Sequence, residues 1–295
     1  MSEQHLVHDI AVAAPPGTVY ALLADATGWP ALFPPTVHAE VAERTGDSER
    51  LRLWATANGA VKAWTSRRTF DAAARRITFR QEVSAPPVAS MGGTWIVDDG
   101  PDGGSHVTLT HDYRAVEDDP QALDWISAAV DRNSTAELAA LKAGAEQGDR
   151  AYTFEDSVEW RGTAADAYAF IWEADRWTDR LPHVRGVDLR AEGDDVQVLR
   201  LETLATDGSS HTTESVRVGR PGQGRIVYKQ LLLPTLVSVH LGQWTFEEAG
   251  GRVRATSRHT VVLKPGAPED RRAFVREALG ANSLATLRHA AGVSA

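Results

Sequence analysis

The chain contains no cysteine. That excludes disulfides, thiolate catalysis and cysteine-bound metal. Histidines number 10 but are scattered, with no HxH or HExxH spacing, so no metal site is expected. No glycine-rich phosphate loop follows a strand pattern and no GxSxG elbow is present. Nucleotide cofactors and serine-hydrolase chemistry are therefore not indicated, and no cofactor is expected. Basic clusters are also missing, and the net charge is −9, which argues against nucleic acid as a partner. No apolar run approaches the length of a membrane span. The stretch MSEQHLVHDI lacks the charged and apolar regions of a secretory signal, so a soluble, cytoplasmic protein with no membrane partner is expected.

What is present is a long internal repeat. The segment from Ile77 to Trp95, ITFRQEVSAPPVASMGGTW, recurs without gaps from Ile226 to Trp244, IVYKQLLLPTLVSVHLGQW. Gln81 answers to Gln230, Gly93 to Gly242 and Trp95 to Trp244, each 149 residues on. The correspondence extends through Ser66 and Ser215, Arg68 and Arg217, Trp29 and Trp177, His111 and His259, and Asn133-Ser134 and Asn282-Ser283. A repeat of this length is a domain rather than a solenoid unit. The chain reads as two copies of one domain, 1–147 and 148–295, and its 295 residues and 42% apolar content suit two cores.

Each copy has the same order of patterns. HLVHDIAVAA alternates as a half-buried strand does, and VYALLADATGWPALFP carries helical spacing broken by Pro30 and Pro34-Pro35 into two short helices. Six alternating strands follow, with turn signals at Gly46-Asp47, Asn58-Gly59 and Gly103-Gly104, which predicts an antiparallel meander. The last segment, DPQALDWISAAVDRNSTAELAALKAGAEQ, spaces Leu123, Ile126, Val130, Leu138 and Leu141 as a long amphipathic helix. The fold class is α+β. A curved sheet must cover one face, and the long helix is the only element available, which leaves a cavity between them.

In AVKAWTSRRTFD, alternation places Trp64, Ser66, Arg68 and Phe70 on one face. An inward guanidinium is costly unless paired or hydrated. It can bridge to a carboxylate such as Glu82 or Asp112, or it can hold a polar guest. Trp29 is either core filling or an aromatic wall near the cavity mouth. In the second copy Thr213 stands where Trp64 does, and His240 where Met91 does. His240 is either a hydrogen-bonded strand histidine or, titrating near neutrality, an acid or base. His111 and His259 are either structural or cavity-facing. Trp95 and Trp244 are expected in the core.

The order of elements, together with Gly28-Trp29-Pro30, Leu32-Phe33, Trp64 to Arg68, Pro87 to Trp95 and Asn133-Ser134-Thr135, resembles the polyketide aromatase/cyclases of the START/Bet v 1-like superfamily. It is closest in kind to the two-domain members of bacterial type II polyketide pathways. The resemblance implies two tandem helix-grip domains, each a curved antiparallel sheet wrapped on a long C-terminal helix around a cavity. It implies an aromatase/cyclase that closes the first ring, C7–C12, of a C9-reduced poly-β-ketone carried on acyl carrier protein, and dehydrates it. The catalytic candidates are then Arg68 and Ser66, with Arg217, Ser215 and His240. Trp29, Trp64, Met91 and Gln81, with Trp177 and Gln230, are expected to line the substrate pockets. An acidic carrier protein would dock on an arginine-rich rim, with Arg67, Arg180 and Arg185 as candidates. Because the fold alone does not fix function, a non-catalytic hydrophobic-ligand or lipid carrier is the alternative. A third arrangement makes one domain catalytic and the other an interaction partner.

Overall fold

A computed structural model describes residues 3–57, 59–147, 151–204, 208–264, 266–268 and 271–292. The chain divides into two compact units, Met1–Asp149 and Arg150–Ala295. Residue 148, where the sequence sets the start of the second copy, and Asn58 of the expected turn lie outside the described residues.

The first unit opens with strand β1 (Gln4–Val12). Helix α1 (Pro16–Ala24) follows, then a single tight turn and the four-residue helix α2 (Trp29–Leu32). Pro16 and Pro30 each sit at the start of their helix, where the missing N–H does no harm. Between the two helices the Asp25 carboxylate accepts from the Thr27 backbone N–H (3.0 Å) and hydroxyl (2.6 Å), fixing the corner. Six strands then run as a meander: β2 (Thr36–Thr45), β3 (Ser48–Ala57), β4 (Ala60–Asp71), β5 (Arg76–Val83), β6 (Val88–Asp99) and β7 (Ser105–Ala115). Helix α3 (Pro120–Gln147) closes the unit. The sheet order is β1-β7-β6-β5-β4-β3-β2, antiparallel throughout. Helix α3 packs on β1 and β7. At one end of the unit Val19, Leu23, Phe33, Ile77, Trp95, Leu138 and Leu141 form the core.

The second unit repeats this: β8 (Ala151–Trp160), α4 (Ala164–Trp172), α5 (Trp177–Arg180), β9 (Val184–Ala191), β10 (Val196–Leu204), β11 (Ser210–Arg220), β12 (Arg225–Leu232), β13 (Val237–Ala249), β14 (Arg252–Leu263) and α6 (Arg271–Ala290). Its sheet order, β8-β14-β13-β12-β11-β10-β9, matches the first. Thr163 and Asp166 make a reciprocal cap at the start of α4. Trp177, Leu199, Ile226, Trp244, Phe246 and Leu287 belong to its core. Both units therefore have the expected helix-grip form, a seven-stranded antiparallel sheet against a long C-terminal helix. No described helix is long and apolar enough to cross a membrane.

The repeated glycines have a steric cause. Gly93 faces Phe79 across the β5–β6 pair, and Gly242 faces Tyr228 across β12–β13. A Cβ on Gly93 would lie 1.9 Å from the Thr110 carbonyl oxygen and 2.7 Å from the Phe79 ring. A Cβ on Gly242 would lie 1.9 Å from the Tyr228 ring. An aromatic ring occupies the space a Cβ would need at each glycine, which is why the residue returns with the repeat.

Candidate functional site: two unequal cavities

Each unit encloses a hollow between sheet and long helix. The first measures about 230 Å³ and the second about 140 Å³. Trp29, Trp64, Ser66, Arg68, Gln81 and Met91 all line the first. Trp177, Ser215, Arg217, Gln230 and His240 all line the second. Every residue expected at a site is therefore on a cavity wall. The serine and glutamine of each unit are cross-strand neighbours, Ser66 with Gln81 and Ser215 with Gln230. The pairing register shifts immediately before each serine, at Thr65/Ser66 and at Glu214/Ser215.

The two guanidinium groups occupy different electrostatic settings. Arg68 is 1% exposed. Its Nε donates to the Glu49 carboxylate at 2.9 Å, and Nη2 donates to the same oxygen. Nη1 donates to the Leu23 carbonyl and Nη2 to the Ala24 carbonyl, both at 2.7 Å. Four of the five N–H groups are thus engaged, and one on Nη1 is left for a guest oxygen. Trp29 and Phe70 lie against the group, with ring centroids 4.7 and 5.0 Å from the guanidinium carbon. The other Glu49 oxygen accepts from Arg44, at 3.1 Å from Nε and 2.6 Å from Nη2. Burial draws Arg68 below the usual guanidinium range, and Glu49 works against that shift. The carboxylate partner is therefore Glu49. Glu82 instead receives Arg50 and Arg67, and Asp112 receives Arg80.

Arg217 is 2% exposed and has no carboxylate partner among the described residues. Nη2 donates to the Ile171 carbonyl and Nη1 to that of Trp172 at 3.5 Å. The rings of Trp172 and Trp177 stand 5.3 and 5.4 Å from the guanidinium carbon. Burial pulls this group down to about 10, opposed only by the phenols of Tyr168 and Tyr228.

The hydroxyls also differ. Ser66 donates to the Arg80 carbonyl at 3.0 Å, so it meets a guest as an acceptor. Ser215 makes no hydrogen bond among the described residues. Gln81 accepts from Ser84 at 2.9 Å and points its amide nitrogen at the Met91 sulfur, 3.7 Å away. The buried side-chain oxygen of Gln230 has no partner.

Of the two alternatives the sequence leaves for His240, the geometry matches the hydrogen-bonded strand histidine. It is 3% exposed, and its Nε2 lies 2.9 Å from Nδ1 of His259. The far nitrogen of His259 reaches Ser257 and Ser283, both at 3.0 Å. Burial holds His240 down at about 3 and His259 at about 4. The pair is neutral at pH 7, and a stacked, hydrogen-bonded imidazole in this state is a weak base.

Comparison with known proteins agrees with this architecture. A family model described as polyketide cyclase / dehydrase and lipid transport matches residues 3–146. A Streptomyces coelicolor protein named actinorhodin polyketide synthase bifunctional cyclase/dehydratase is 46% identical, over 99% of this chain and 97% of its own length. The granaticin counterpart from Streptomyces violaceoruber is 45% identical over 96% and 92%. This chain belongs to the two-domain polyketide cyclase/dehydratase family. Among solved structures, the di-domain ARO/CYC BexL from the BE-7585A biosynthetic pathway superposes with a TM-score of 0.88 at 50% identity, covering 98% of both chains. StfQ from the steffimycin pathway gives 0.85 at 32%, covering 98% of this chain and 97% of its own.

In this cyclase/dehydratase, sequence reasoning missed Glu49, Gln197 and Glu137. The first two could have been found. Glu49 shares strand parity with inward Leu51 and Leu53, and Gln197 shares it with Leu199 and Leu201. Glu137 lines the first cavity near His111 and Ser134 and makes no hydrogen bond among the described residues. Burial lifts its carboxyl to about 7. On the helix it reads as one of many surface acids, so nothing in the sequence singles it out. His111, held down to about 4 by burial, sits 3.5 Å from the Ser134 hydroxyl.

Proposed function

We propose that this enzyme closes the first ring, C7–C12, of a C9-reduced poly-β-ketone delivered on acyl carrier protein, and dehydrates it to an aromatic ring. The observation that carries this is the duplicated wall: a buried guanidinium beside a serine hydroxyl and a glutamine amide in each hollow. Ring closure needs a carbon flanked by carbonyls to lose a proton, with the resulting enolate attacking a second ketone. Dehydration needs the new β-hydroxy ketone to enolise again and expel hydroxide, which takes up a proton and leaves as water. Fixed N–H donors stabilise the enolate oxygen. An arginine is a poor base, so the proton must go elsewhere. In the first cavity that role falls to Glu137, poised near neutrality to take the carbon proton as carboxylate and return it to the departing hydroxide. Arg68 contributes its one remaining N–H and Ser66 a lone pair. In the second cavity Arg217, Ser215 and neutral His240 face the guest, with Trp177 and Gln230 as walls. Of the rim arginines, Arg67 and Arg180 are tied to Glu82 and Glu173, whereas Arg185 is exposed and makes no ion pair among the described residues. Arg185 is therefore the better candidate for an acidic carrier protein.

The test is reconstitution with a minimal synthase, a ketoreductase and carrier protein. Arg217→Met and Glu137→Gln, each checked for folding by circular dichroism, should divert product to spontaneously cyclised shunts. Unchanged aromatic product from both single variants and the double would remove these groups from the mechanism. Arg68→Ala suits this test less well, because it leaves buried Glu49 with only the exposed Arg44 as a partner.

A further inference from the structure

The paired strands of the two units differ at one telling position. Glu49 stands opposite Arg68 in the β3–β4 register, and Gln197 stands opposite Arg217 in the β10–β11 register. The repeat has thus exchanged a carboxylate for a neutral amide at the one place that balances the buried charge. Gln197 is 7% exposed, donates to the Trp172 carbonyl at 3.3 Å, and leaves its own carbonyl oxygen without a partner. Among the described residues, no aspartate or glutamate lines the second cavity. His240 and His259 are uncharged at neutral pH, as argued above, burial lowers His183 as well, and the nearer phenols belong to Tyr168 and Tyr228. A buried cation with no carboxylate partner among the described residues is a standing cost to the fold, which binding of an anion relieves. In the first unit Glu49 already fills that role, lying between buried Arg68 and the exposed Arg44, so Arg68 has its counter-ion without a guest.

We infer that the C-terminal cavity is an anion site that takes its guest as an enolate or phenolate, while the N-terminal cavity takes a neutral ketone. This rests on the reading that both hollows receive polyketide guests. It divides the work between them: the first removes and returns protons at Glu137, and the second holds the acidic β-diketone or phenol that aromatisation produces. Tyr228 replaces Phe79 in the second wall, adding a hydroxyl that can donate to the same oxyanion.

The test uses the full chain and two dye-sized probes of nearly the same shape, 4-nitrophenol and its neutral methyl ether, 4-nitroanisole. At a pH where the free phenol is half ionised, the difference spectrum reports the bound form. The wild-type protein should bind 4-nitrophenolate at least about tenfold more tightly than 4-nitroanisole, a preference of about 1.4 kcal/mol. Bound probe should be ionised at a lower pH than free probe. Gln197→Glu supplies the missing counter-ion. That variant should melt at a higher temperature than wild type, keep 4-nitroanisole binding and lose the phenolate preference. A merely structural role for Gln197 would raise stability without touching selectivity. Equal affinity for the two probes in wild type, or a preference that survives Gln197→Glu, overturns the anion site alone. Failure of the protein to bind either probe overturns the guest-binding reading of the hollows, and this inference with it.

Discussion

Two arginines at equivalent positions answer to opposite stability rules. Arg68 is held by a carboxylate and two carbonyls, and it ties the end of α1 to the middle of β4. Removing it leaves Glu49, itself fully buried, with Arg44 as its only cation. Breaking a buried pair from one side typically costs about 3–5 kcal/mol. Arg68→Ala should therefore lower the unfolding free energy of the first unit by that order, read as a lower urea midpoint. Arg217 carries desolvation without a counter-charge, so Arg217→Met, which keeps most of the volume and removes the charge, should be neutral or stabilising. Urea titrations of the two full-length variants followed by tryptophan fluorescence decide the matter. Equal destabilisation would mean that Arg217 has a partner equivalent to Glu49.

At the scale of strands, the sheet's curvature depends on close approach at two glycines. Gly93→Ala drives a Cβ into the Thr110 carbonyl, which is backbone and cannot yield without moving β7. Gly242→Ala meets the Tyr228 ring, a side chain that can swing away. Overpacking costs about 1–3 kcal/mol, occasionally more. Gly93→Ala should thus lie at or beyond the top of that range, and Gly242→Ala should cost less while changing ligand affinity in the second cavity. Differential scanning calorimetry on both, with a probe titration on the second, checks the pair. A Gly93→Ala protein that melts like wild type would show that the sheet flattens freely there. The repeat made these glycines visible in sequence, and alternation gave each strand its inward face, so the architecture and the cavity walls were legible. Partner choice was not. Whether Arg68 meets Glu49, Glu82 or Asp112 depends on sheet register and on the corner between α1 and α2, which no periodicity encodes. The lowered basicity of His240 was hidden for a related reason, since it arises from burial in the folded unit and, after that, from His259, 19 residues away along the chain.

Across the whole molecule, the two units should respond to acid differently although they share a fold. Each encloses its own core, so their unfolding need not coincide. In the second unit His240 and His259 are held at about 3 and about 4, and burial also lowers His183. The folded unit therefore binds fewer protons than its unfolded chain as pH falls below 6.5, and stability is lost progressively. Among the described residues the first unit has one such histidine, His111 at about 4. It also has Glu137, raised from 4.5 to about 7, which acts in the opposite sense. Between those values folded Glu137 retains a proton that the unfolded chain has released, so its contribution grows as pH falls and offsets His111. Acidification from pH 7 to 4.5 should therefore lower the melting temperature of the second unit while leaving the first nearly level. His240→Met, which installs the residue that the first unit carries there, should reduce the acid loss of the second. Glu137→Gln should make the first unit acid-labile by exposing the uncompensated effect of His111. Calorimetric scans of the wild type and both variants at pH 7, 6 and 4.5 read all three expectations. Transitions that move in parallel in every protein would mean that the charge differences between the hollows do not reach the stability of the units that contain them.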